Sequence, residues 1–133
     1  MAAILIIDDE PEVCRVLTRV LARAGYDVTA VGAAVEGIAA FEREPADIVI
    51  TDIIMPKIHG IDIITSIRTR SATVGIIAIS GGGNFGPLGS EPGSIMTHAY
   101  LAAAVKAGAD EVLTKPFDKC DLLAAVRRLS AAT

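Results

Sequence analysis

The chain has 133 residues, 52% of them apolar, and a formal net charge of −4. That length suits one domain with a proper core, and no apolar run reaches the roughly 18 to 20 residues that a membrane-spanning helix needs. The acidic balance argues against nucleic-acid binding, which requires clustered Lys and Arg to neutralise phosphates.

The period of the sequence switches repeatedly between strand and helix. Ala3–Asp8 reads as a strand. Pro11–Ala24 reads as a helix, because Val13, Val16, Leu17, Val20, Leu21 and Ala24 share one face, and Gly25 stops it. Tyr26–Val31 alternates as a half-covered strand does. Ala33–Arg43 is a second helix, weakened by Gly37. Ile48–Asp52 is a strand, Gly60–Thr69 a helix and Gly75–Ser80 a strand. Ile95–Ala107 is a helix entered at Ser94 and ended by Gly108. Glu111–Thr114 is a short strand, and Asp118 caps a last helix that runs to about Leu129.

Five βα units imply an α/β domain: a parallel sheet with helices on both faces. The first, third and fourth strands are apolar throughout, as central strands are. The alternating second strand and the short fifth read as edges. This predicts a doubly wound, flavodoxin-like (βα)5 fold with strand order 2-1-3-4-5. One stretch stands apart. Residues 81–94, before the fourth helix, hold six of the twelve glycines and two of the six prolines. A loop this long is often functional or mobile.

Polar groups end four of the strands. Asp8 and Asp9 follow the first, Asp52 closes the third, Ser80 the fourth, and Lys115 follows the fifth. In open α/β sheets, ligands bind outside the carboxyl ends of the strands. Three carboxylates gathered there repel one another, and a hard divalent cation answers that charge. Mg²⁺ takes oxygen ligands, commonly one or two carboxylates with waters and a phosphate oxygen. Cys14 and Cys120 have neither the spacing nor the His neighbours of a softer-metal site, and both read as free thiols. With the cation in place, Asp52 can act as a carboxylate nucleophile towards a phosphoryl group. Lys115 would offset charge on the phosphoryl oxygens, and Ser80 would donate a hydrogen bond to one of them. Taken singly, Asp8-Asp9 could merely open a loop and Lys115-Pro116 could be an ordinary turn.

The ordered set resembles the receiver domains of two-component response regulators. It comprises Asp8-Asp9-Glu10-Pro11, Asp52 with Met55-Pro56 and Gly60, Ser80, Gly108-Ala109-Asp110, and Lys115-Pro116-Phe117. The match runs from about Ile4 to Leu129, so the expectation is a stand-alone receiver over residues 1–133, similar to the chemotaxis regulators. The resemblance implies a regulatory phosphoacceptor rather than a conventional enzyme, one that promotes its own phosphorylation and dephosphorylation. Asp52 would be phosphorylated by a sensor histidine kinase or a histidine phosphotransfer protein. Mg²⁺ would sit on Asp9, Asp52 and the backbone carbonyl of Ile54, with Asp8 assisting through water. Ser80 and Lys115 would be the switch residues, and Lys115-Pro116 a candidate cis peptide. The expected setting is cytoplasmic. A downstream protein is the expected target, with no nucleic acid, no membrane insertion, and a monomer or weak dimer.

Two departures from that pattern stand out. Val112 occupies the position, three before Lys115, where the family usually has Tyr or Phe. The Ser80-to-Lys115 interval is about a dozen residues longer than usual, mostly through the Gly-rich stretch. That stretch also contains a literal G-x-G-x-x-G, Gly81 to Gly86, but it follows the fourth strand, and Pro87 and Pro92 keep a helix from opening there. A phosphatase with an aspartyl-phosphate intermediate would want an Asp where Ile54 stands. The alternative carried forward is a degenerate receiver that serves only as a protein-interaction module.

Overall fold

The structure is a computed structural model and describes residues 2–53, 60–80, 102–114 and 117–132. Five parallel strands, β1 (Ala3–Ile7), β2 (Asp27–Val31), β3 (Ile48–Asp52), β4 (Gly75–Ser80) and β5 (Glu111–Thr114), form one sheet in the order β2-β1-β3-β4-β5. The helices are α1 (Pro11–Arg23), α2 (Ala34–Arg43), α3 (Gly60–Arg70), α4 (described over residues 102–107) and α5 (Lys119–Ala132). The predicted topology is the one observed. No helix among the described residues is long and apolar enough to cross a membrane.

Alternation along the strands feeds two separate cores, one on each face of the sheet. Ile4, Ile6, Ile48, Ile50, Ile77 and Ile79 point to one side, against Leu17 and Leu21 of α1 and Leu122, Val126 and Leu129 of α5. Leu5, Ile7, Val49, Ile76 and Ala78 point to the other, against Phe41 of α2 and Ile63, Ile64 and Ile67 of α3. This is why the central strands show no polar alternation: neither face meets water. β2 has the mixed exposure of an edge strand.

Helix ends follow local chemistry. α1 ends in a Schellman turn. Gly25, at φ 99°, donates to the Ala22 carbonyl at 3.1 Å, and Tyr26 N–H reaches the Leu21 carbonyl at 3.1 Å. α4 ends the same way at Gly108, φ 127°, with Ala109 N–H on the Ala104 carbonyl at 3.0 Å. Asp118 caps α5 as expected, its Oδ1 accepting from Asp121 N–H at 2.8 Å. The remaining boundaries shift by one to three residues. Asp8, for instance, lies just past β1 rather than in it. The entry into the fourth helix and residues 81–94 lie outside the described residues.

Candidate functional site

The site is built by register. β1 pairs with β3 so that Ile7 stands opposite Thr51, which brings Asp8 and Asp52 to the same end of neighbouring central strands. Asp8 N–H donates to the Val31 carbonyl at 3.1 Å, holding the chain in line with β2 beyond the end of β1. Ile53 N–H donates to the Ile79 carbonyl at 2.9 Å, doing the same for β3 against β4. Both carboxylates belong to almost fully buried residues, with Asp8 1% and Asp52 3% exposed. Apart from Thr51, they are the only buried polar residues among those described.

A third carboxylate joins them. One oxygen each from Asp8, Glu10 and Asp52 lies within 4.8 Å of the other two. Glu10 is half-buried and occupies the N-cap of α1, but its side chain makes no capping hydrogen bond. Its N–H instead donates to Asp8 Oδ1 at 2.9 Å, a tight Asx turn that folds the chain back over Asp8. Pro11 then starts the helix at a position where its missing N–H costs nothing. Cys14, one turn on, donates its thiol to the Asp8 carbonyl at 3.3 Å.

Asp9, expected to share the site, is exposed and does not join this mutual group. It lines an open groove of about 480 Å³ alongside, with Asp8, Pro11, Cys14, Arg15 and Thr18. Sequence reasoning gave Glu10 no role beyond the motif. The available signal was that Glu is a poor N-cap residue standing where Ser, Thr, Asp or Asn is preferred. Ser80 ends β4 with its backbone paired to Thr114, one strand from Asp52. The Ser80 side chain, the Ile54 carbonyl, Lys115 and Pro116 fall outside the described residues. Val112 pairs with Ala78 and packs, half-buried, against the α2–α3 core.

Three carboxylate oxygens this close repel by about 3 to 4 kcal/mol per pair at an effective dielectric near 20. Such a site needs positive charge, and an all-oxygen donor set suits a hard cation. The residues present therefore fit Mg²⁺.

Comparison with known proteins decides the family. The model of the response regulator receiver domain matches residues 4–86. The chain belongs to that family. The receiver is 31% identical over 127 residues to the sensory transduction protein RegX3 of Mycolicibacterium smegmatis, covering 96% of this chain and 50% of that protein. It is 32% identical over 136 residues to the transcriptional regulatory protein KdpE of Mycobacterium tuberculosis, covering 99% of this chain and 54% of that one. It thus spans about half the length of the curated relatives it matches. A receiver domain protein from Clostridium thermocellum superposes with a TM-score of 0.79 at 31% identity, over 97% of this chain and 94% of that one. Receivers are regulatory phosphoacceptor domains of two-component systems, and they typically bind Mg²⁺ at an acidic pocket.

Proposed function

We propose that this receiver accepts a phosphoryl group on Asp52 from a phosphohistidine of a sensor kinase or phosphotransfer protein. The observation that carries the reading is the convergence of buried Asp8 and Asp52 with Glu10 at the carboxyl end of the sheet. A carboxylate oxygen of Asp52 attacks phosphorus, an O–P bond forms, and the N–P bond breaks with its electron pair passing to the imidazole nitrogen. Positioning and charge neutralisation supply most of the catalysis in such transfers. Bound Mg²⁺ would neutralise charge on the carboxylates and the incoming phosphoryl group.

Asp8, Asp9, Asp52 and the Ile54 backbone carbonyl are the proposed cation-binding set. Ser80 would donate to a phosphoryl oxygen and Lys115 would balance its charge. The fold supports both roles, since β4 ends beside β3 and β5 ends beside β4, all at the same end of the parallel sheet. Because the domain is acidic, we assign its output to protein contacts rather than to nucleic acid.

The test is phosphorylation by acetyl phosphate, a small donor that needs no kinase. With Mg²⁺ the chain should gain one phosphoryl mass, and excess chelator should abolish the gain. Undiminished labelling in chelator would overturn the cation-dependent mechanism. No labelling in either condition would favour a receiver that acts only as an interaction module.

A further inference from the structure

We propose that Thr51 is a positioning residue of this receiver, its hydroxyl fixing the main chain that carries the phosphoacceptor Asp52. The inference rests on the phosphoacceptor reading above and adds to it a residue outside the set assigned there. Thr51 is fully buried, and its register partners are Ile7 on β1 and Ala78 on β4. Both belong to the core on the α2–α3 side of the sheet, so a hydroxyl stands where its neighbours are apolar. A buried hydroxyl is costly unless it is hydrogen-bonded. Thr51 Oγ1 donates to the Asp52 carbonyl at 3.1 Å.

The consequence of this bond follows from where β3 ends. Ile7 opposite Thr51 is the last pair of the β1–β3 ladder, and Asp8 N–H turns instead to the Val31 carbonyl. The Asp52 carbonyl therefore lies beyond that ladder. On the other flank, Ile53 N–H donates to the Ile79 carbonyl at 2.9 Å. The peptide unit that joins Asp52 to Ile53 is thus held at both of its polar groups, the carbonyl by Thr51 and the N–H by β4. Successive strand residues point to opposite faces, so Thr51 acts through the main chain and not on the Asp52 carboxylate. Attack on phosphorus is sensitive to such placement, since a misplacement of 1 Å can cost about a hundredfold in rate.

The rate at which acetyl phosphate labels the full chain in saturating Mg²⁺, followed by intact mass beside urea unfolding, tests this. Thr51→Val keeps nearly the same shape and removes the hydroxyl; it should label about fivefold more slowly, a fraction of that full misplacement cost, with a denaturation midpoint near that of the wild type. Thr51→Ser keeps the hydroxyl and leaves the space of a methyl; it should unfold more readily yet label at close to the wild-type rate. A rate that follows the hydroxyl while stability follows the methyl is the signature of positioning. If Thr51→Val fails to fold, Thr51→Ser and Thr51→Ala, which differ by the hydroxyl alone, read the same effect. Wild-type labelling of Thr51→Val, or equal slowing of the Ser variant and its hydroxyl-free counterpart, would overturn the inference and leave the phosphoacceptor reading standing. If the wild type is not labelled at all, both fail together.

Discussion

Arg68 joins several separate pieces of this fold among the described residues. From the end of α3 its guanidinium donates to the Val74 carbonyl at 2.7 Å, the Ala72 carbonyl at 3.1 Å, the Gly108 carbonyl at 2.7 Å and Asp110 Oδ2 at 3.0 Å. Asp110 in turn accepts from Ile76 N–H at 2.9 Å. One residue thereby ties the start of β4 to the turn between α4 and β5, at the end of the sheet away from the Asp8–Glu10–Asp52 cluster. Its side chain is only 22% exposed and its bonds to the Val74 and Gly108 carbonyls are partly buried, so water replaces those two poorly. Arg68→Ala should cost about 2 kcal/mol, within the range for hydrogen bonds to charged groups. Arg68→Lys should recover little, because an ammonium cannot fork to both carbonyl sets. Urea unfolding measures it, and a loss under about 0.5 kcal/mol, the size of an ordinary surface substitution, would show that the clamp is dispensable.

At the scale of elements, α2 shows how packing overrides local preference. Gly37 looks like a weak point, since Gly disfavours helix by about 1 kcal/mol relative to Ala. The structure gives a reason for it. A Cβ at position 37 would stand 2.5 Å from Ile7 Cδ1 and 2.7 Å from its Cγ1, so α2 lies against β1 as closely as glycine allows. Gly37→Ala therefore gains helix propensity but overpacks the core, a penalty of roughly 1 to 3 kcal/mol. We expect a net destabilisation of about 1 kcal/mol, read as a lower denaturation midpoint; a raised midpoint would mean the sheet face can yield.

The same comparison explains what the sequence made legible. Strand ends and helix stops were readable because their causes are local: an apolar run closing on Asp52, a positive-φ turn at Gly25 or Gly108, a cap at Asp118. Asp8 and Asp52 were readable as a pair once the strand order was inferred, because register alone brings them together. Glu10 was not. Its place in the site depends on an Asx turn and on a cap left unused, and neither follows from the period of the chain. The Arg68 clamp was equally hidden, since its acceptors are mostly backbone carbonyls up to forty residues away.

At the scale of the whole molecule, two apolar cores hold a five-stranded parallel sheet, and the buried carboxylates Asp8 and Asp52 sit at the carboxyl end of its central strands. The sheet holds Asp8 and Asp52 in fixed register where burial and like charge would otherwise drive them apart. That arrangement is the one a phosphoryl acceptor needs: a nucleophilic carboxylate on a central strand, with further carboxylates to attract the neutralising cation. The most direct measurement is intact mass after incubation with acetyl phosphate and Mg²⁺, comparing the wild type with Asp52→Asn. The substitution keeps the shape of a side chain in a residue only 3% exposed and removes its nucleophilic charge. The account predicts one added phosphoryl group on the wild type and none on the variant. Equal labelling of both would contradict it and place the acceptor elsewhere.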